Sequence, residues 1–249
     1  MRSGPTPFTG SVHSFDISTG VDGPGSRFVA FLAGCPLRCA YCHSPDTWYR
    51  RSGTLMSVDD LMLEIERYRR FIQVAGGGVT ISGGEPLQQV GFTREVLRRC
   101  HALKLHTALD TSGFLGHRAD HSLLDVTDLV LLDVKSWDPA TYRKVTGTGD
   151  VMPTLRFARR LAAYGVPMWI RFVLVPGLTD NAANLEGLAD FLATLSTLER
   201  VEILPFHKLG AHKYEQMGLT FPLAGARVPA ADEIARAHEV FAGRGLVTC

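Results

Sequence analysis

Short apolar runs of strand length alternate along this chain with segments of helical periodicity, and that alternation restricts it to an α/β fold with parallel strands. The runs cover residues 27–33, 78–82, 106–110, 129–134, 169–175 and 201–204, with a further short strand near 12–17. Helices are predicted at 57–74, 92–103, 121–125, 154–164, 184–195 and 231–241. In the first of these Val58, Leu61, Met62, Ile65, Tyr68, Phe71 and Ile72 keep helical period, and Ser57 with Asp60 has the capping-box spacing. Six β/α units are fewer than the eight of a closed barrel. The fold class predicted is therefore α/β, a partial (β/α)6 TIM-like barrel whose gap could admit a large substrate. The 249 residues, 45% hydrophobic, suit one core, with a flexible segment at 1–10 and a single domain over 11–249.

The alternation also says where chemistry belongs, because parallel strands of this kind gather functional side chains at their carboxyl ends. Unusual polar residues accompany all six runs: a cysteine loop after the first, Gly83-Gly84-Glu85 after the second, Asp110-Thr111 at the third, Asp133 and Lys135 at the fourth, Arg171 in the fifth and His207 after the sixth.

Cys35, Cys39 and Cys42 place three of the five cysteines within eight positions. A lone buried cysteine is an ordinary small hydrophobe, whereas three thiols this close can converge on one metal centre. Zinc would take a fourth ligand, which His43 could supply, although no second, distant ligand pair is evident. Cys39-Ala40-Tyr41-Cys42-His43 also meets the rule for attaching a c-type haem, which leaves Cys35 idle. A 4Fe–4S cubane takes four ligands, so three cysteines leave one iron without a protein ligand. Cys100 and Cys249 lack partners at such spacing, and a disulfide framework is not expected.

Cys-x3-Cys-x2-Cys with an aromatic before the last cysteine resembles the signature of radical S-adenosylmethionine (SAM) enzymes, whose architecture is the partial barrel. The resemblance implies one 4Fe–4S cluster on Cys35, Cys39 and Cys42, with SAM chelating the fourth iron through its amino and carboxylate groups. Reductive cleavage at the sulfonium then yields a 5′-deoxyadenosyl radical. Gly83-Gly84-Glu85-Pro86 resembles the family's motif for the SAM amino group, with Glu85 ordering the loop. By the same resemblance Tyr41, Cys42, His43, Asp133, Lys135 and His207 are SAM contacts. Asp110, Thr111 and Asp133, with a main-chain carbonyl near Leu131, correspond to a monovalent-cation site.

The match runs from about His13 to the last helix. His13-Ser14-Phe15, Val21-Asp22-Gly23-Pro24-Gly25, Asp46-Thr47-Trp48, Trp169-Ile170-Arg171 and His207-Lys208-Leu209-Gly210 are similar to the pyruvate formate-lyase activating enzymes. Ser44 stands where many relatives carry Asn. This resemblance implies removal of a hydrogen from a glycine Cα of pyruvate formate-lyase, a glycyl-radical enzyme, with Asp16 and Arg171 touching the peptide and flavodoxin or ferredoxin as reductant. No cysteine lies between Cys42 and Gly76, so the extra clusters of some other activases are not expected. Another glycyl-radical enzyme, a small molecule or a nucleoside is the alternative substrate, and a redox or haem carrier the non-enzymatic one.

Against 26 Lys and Arg stand 25 Asp and Glu, and the basic pairs are dispersed among acids. Such a balance gives no footprint for an extended nucleic-acid partner. No apolar run reaches signal-peptide or membrane-span length, so a cytoplasmic protein is expected; a monomer is expected as well.

Overall fold

The computed structural model describes residues 8–147 and 149–249. Most of the segment expected to be flexible, residues 1–7, lies outside them. The strands are β1 Thr9–Thr19, β2 Ser26–Leu32, β3 Thr54–Ser57, β4 Gly78–Gly83, β5 His106–Thr111, β6 Leu129–Asp133, β7 Met168–Leu174 and β8 Leu198–Pro205. The helices are α1 Val58–Val74, α2 Val90–Ala102, α3 His121–Leu124, α4 Pro139–Thr146, α5 Met152–Tyr164, α6 Ala182–Leu192, α7 Ala211–Gln216 and α8 Ala231–Ala242. The order along the sheet is β3-β1-β2-β4-β5-β6-β7-β8. All six predicted β/α strands are present, and the arrangement is the mostly parallel α/β one that the alternation requires. No helix among the described residues is long and apolar enough to cross a membrane.

The described residues form two compact units. The first comprises the chain up to Pro36, Thr47–Thr111 and His117–Leu131. In it β2 pairs parallel with β4, from Arg27↔Gly78 to Leu32↔Gly83, and β4 pairs parallel with β5. β1 runs antiparallel to β2, and the short β3 pairs with the start of β1. Phe28, Val29, Ala30, Val79 and Ile81 are inaccessible to solvent, as strands covered on both faces must be. Ser57 and Asp60 close the capping box of α1, the Ser57 hydroxyl accepting from the Asp60 N–H at 3.1 Å. The buried stripe of that helix is Val58, Leu61, Met62, Ile65 and Ile72. Tyr68 and Phe71 keep the period but lie at its margin and stay exposed, Tyr68 leaning on Phe28 at 5.9 Å between ring centroids.

The second unit comprises Leu37–Asp46, Ser112–Gly116 and Leu132–Cys249. β7 and β8 pair parallel, and the Val134 N–H donates to the Arg171 carbonyl at 3.0 Å. α4, α7 and β3 are short elements that the sequence does not announce by periodicity. α4 nevertheless carries a start signal: Asp138 caps it by accepting from the Thr141 N–H at 2.7 Å, and Pro139 follows at the first helical position.

Candidate active site

In the first unit, β2 delivers the chain to Gly34 and Cys35. Gly34, with φ 105°, turns the backbone so that its N–H donates to Thr47 O at 2.6 Å, and the Cys35 N–H donates to Trp48 O at 3.0 Å. Gln89, buried, braces the same corner. Its amide donates to Ala33 O at 2.9 Å and Ser11 O at 3.0 Å, and its oxygen accepts from the Ser11 N–H at 2.8 Å.

The loop after β4 is laced onto that corner. The Gly84 N–H donates to Leu32 O at 2.7 Å and the Glu85 N–H to Gly34 O at 2.8 Å. Gly83 has φ 112°, and a Cβ there would strike the Leu32 backbone, just as one on Gly84 would strike the Gly34 carbonyl. These glycines thus answer first to the approach of the protein to itself. Glu85 is fully buried, and its Oε1 accepts from the Thr111 hydroxyl at 2.6 Å and the Leu87 N–H at 3.1 Å. These contacts tie the carboxylate to the end of β5 and to the residue two further along its own loop. Asp110 accepts from the Ser82 hydroxyl at 2.6 Å. Asp16 is exposed on β1, where its carboxylate accepts from the Ile17 N–H at 2.7 Å.

In the second unit the rest of the cysteine loop rests on the end of α4. The Arg38 N–H donates to Thr146 O at 2.8 Å and the Ala40 N–H to Val145 O at 2.7 Å, taking up carbonyls that a helix C-terminus leaves without partners. The Cys42 N–H closes a turn on Cys39 O at 3.0 Å. Tyr41 is buried, its hydroxyl without a hydrogen-bond partner among the described residues, and burial raises its pKa. Lys135 lies 5.6 Å from the Tyr41 ring centroid and donates to Asp133 at 2.6 Å. Burial opposes the Lys135 charge, but Asp133, with Tyr41 and Cys39, lifts its pKa well above the ordinary lysine value. Burial, the largest influence, pushes the Cys39 thiol up to about 12, against the pull of Lys135.

His43 stacks on His207 with ring centroids 4.1 Å apart. Burial of the stacked face, then the His207 ring and the Lys135 charge, lowers His43 to about 4, so its imidazole is neutral at physiological pH. Arg171, buried in β7, is held at Nε by Glu202 at 3.0 Å. Fully buried Asn184 fastens the chain that leaves Lys135: its side-chain oxygen accepts from the Ser136 hydroxyl at 2.6 Å and from the N–H groups of Trp137 and Asp138 at 2.8 and 2.9 Å.

Residues 29–192 match the radical SAM superfamily. The pyruvate formate-lyase 1-activating enzyme of Escherichia coli K12 is 42% identical over 230 residues, covering 91% of this chain and 93% of that one. The pyruvate formate-lyase-activating enzyme of Listeria monocytogenes is 41% identical over 241 residues, covering 94% and 97%. The chain belongs to the pyruvate formate-lyase-activating family of radical SAM enzymes. Among solved structures, a radical SAM methyltransferase from Sphaerobacter thermophilus superposes with a TM-score of 0.65 at 18% identity, covering 94% of this chain and 71% of that one, a likeness of fold alone.

Family membership implies a 4Fe–4S cluster and SAM, the iron–sulfur alternative among the three that spacing left open. Thiolates are the donors that a cubane takes. Cys35, Cys39 and Cys42 are free of disulfides and each partly exposed. No three His, Cys, Asp or Glu among the described residues gather around a single ion. A cubane makes no such demand, because each thiolate binds its own iron. Of the supports around the loop, the sequence reading missed Gln89, Asn184 and α4. Asn184 is a polar residue among apolar helical neighbours, a signal that marks a buried hydrogen-bonding post without naming what it holds, whereas Gln89 beside Gln88 carries no such signal.

Proposed function

We propose that this chain is the activating enzyme of a pyruvate formate-lyase and removes one hydrogen from a glycine Cα in that partner. What carries the reading is identity of 42% over 91% of the chain to an enzyme named for that activity. Cys35, Cys39 and Cys42 would hold three irons of the cluster and leave the fourth for SAM. When bound, cluster and SAM would supply a hydrogen-abstracting carbon radical, with flavodoxin or ferredoxin as the source of the electron.

The chain's own residues bind and orient. Backbone at Gly83 and Gly84, kept in place by Glu85, takes the SAM ammonium. Asp133, Lys135 and His207, with Tyr41, Cys42 and His43, hold the nucleoside and the methionyl carboxylate. The Asp133–Lys135 pair is suited to this, because it keeps an acceptor and a donor together in charged form at little solvent exposure. A monovalent cation at Asp110, Thr111 and Asp133 would complete the carboxylate site, and exposed Asp16 with Glu202-oriented Arg171 would meet the glycine-bearing peptide. The protein works as a cytoplasmic monomer.

Anaerobic mixing of the reduced protein, SAM and a pyruvate formate-lyase tests this. The expected result is 5′-deoxyadenosine together with a doublet glycyl-radical signal in electron paramagnetic resonance, abolished when the partner's loop glycine is changed to Ala. Deoxyadenosine without any protein radical across several glycyl-radical partners would point to a small-molecule substrate instead. Iron should fall below about four per chain in Cys35→Ala, Cys39→Ala or Cys42→Ala and remain at about four in Cys100→Ala and Cys249→Ala.

A further inference from the structure

Gly210, the residue before α7, has φ −80° and ψ −6°. Any residue adopts that conformation, and Ala favours it over Gly. Backbone freedom therefore does not explain the glycine; a close approach does. A Cβ at 210 would lie 2.7 Å from the Cα of His43, 2.9 Å from its carbonyl oxygen and 3.1 Å from its carbonyl carbon. These are backbone atoms, which cannot swing aside as a side-chain tip can. A few residues on, the Lys213 ammonium bridges both carboxylate oxygens of Asp46, at 3.1 and 3.0 Å. The His43 ring meanwhile stacks on His207, whose Nδ1 accepts from the Leu209 N–H at 3.3 Å. The segment leaving the last cysteine of the motif is thus pressed at His43, stacked on His207 and pinned at Asp46, all by the stretch that follows β8.

We infer that Gly210 and the Lys213–Asp46 ion pair are positioning residues for the nucleoside end of SAM, acting through the backbone of His43. The inference rests on the proposed placement of SAM against His43 and His207. It adds that these contacts are tuned from behind by residues that need not touch SAM themselves. Gly210→Ala would displace the His43 backbone by a few tenths of an ångström or more. Breaking the ion pair would loosen the same segment without adding bulk.

The test is SAM titration of the anaerobically reconstituted full chain, read by equilibrium dialysis and by the change that SAM makes in the paramagnetic resonance spectrum of the dithionite-reduced cluster. Gly210→Ala and Gly210→Ser are expected to weaken SAM binding about tenfold and to alter the SAM-bound line shape while iron content matches the parent. Lys213→Met and Asp46→Asn should each weaken it about two- to fivefold, and Lys213→Arg should restore parental affinity. Gly225→Ala, where an added Cβ meets nothing within 4 Å, should change nothing. Parental affinity and line shape in both Gly210 variants would overturn the inference. So would loss of iron from the Gly210 variants with SAM binding intact in the Lys213 and Asp46 variants, since the contact would then serve the cluster. A parent protein that fails to bind SAM would instead overturn the proposed function.

Discussion

The loops after β4 and β6 both end a parallel strand in a carboxylate, yet they spend it differently. Glu85 is sealed from solvent and accepts from two neutral donors, the Thr111 hydroxyl and the Leu87 N–H, while the glycines before it are pressed against the backbone of Leu32 and Gly34. Asp133 and Lys135 keep 25% and 12% of their side chains exposed and neutralise each other across 2.6 Å. The first loop is a finished structure whose polar groups have permanent protein partners. The second holds a charged donor and acceptor that pair with each other, so that a ligand's charged groups could take the place of either. Stability should reside in the first, affinity in the second.

The largest effect should come from Gly83→Ala. A side chain at φ 112° against the Leu32 backbone combines backbone strain with overpacking, roughly 3–5 kcal/mol of lost stability in denaturant unfolding. A parental midpoint would show that the loop is less tightly laced than the contacts indicate. Next, Glu85→Ala removes the buried acceptor that the Thr111 hydroxyl and the Leu87 N–H donate to, at about 2–4 kcal/mol. Glu85→Gln keeps an acceptor oxygen and should cost less than half of that by the same measurement.

Lys135→Ala should do the reverse. It weakens SAM binding by about ten- to hundredfold, the scale of one charge-assisted hydrogen bond of roughly 1.5–3 kcal/mol, with a smaller loss of stability than Glu85→Ala causes. Stability lost in equal measure would erase the distinction between the loops.

The smallest effect concerns a surface charge away from both loops. Glu95 on α2 accepts from Arg98 at 2.7 Å and Arg99 at 3.0 Å, and the Arg98 hydrogen bond, ahead of the other influences, lowers its pKa to about 2. Because the folded-state pKa is below the ordinary carboxylate value of about 4.3, its contribution is complete above that value and disappears as pH falls toward about 2. Glu95→Gln should therefore cost about 1 kcal/mol or less at pH near 7. The gap from the parent should close on acidification, as followed by thermal unfolding. A gap that persists at low pH would mean that packing, not charge, supports the helix.

Much of this was legible in the residues. Strand length and helical period are local properties, so the six parallel strands, the longer helices and the Ser57–Asp60 cap follow from the sequence within a few residues. The placing of polar residues at strand ends follows too, since topology alone carries them there, and the cysteine spacing resembles its family without any coordinates. The elements that escaped were short ones, β3, α4 and α7, whose stability comes from what they pack against. What only the tertiary structure decided is partnership. Whether Glu85 faces Thr111, Lys135 faces Asp133 or Gly210 lies on His43 depends on segments 26, 2 and 167 positions apart. The pair two apart was the most nearly legible, because residues two apart along a strand line the same face, although sharing a face does not by itself make them partners. Residue types set which chemistry the chain could perform, and packing chose which of those polar groups are locked in place and which remain available to a ligand, because burial and hydrogen-bond partnership are properties of the folded neighbourhood rather than of any one residue.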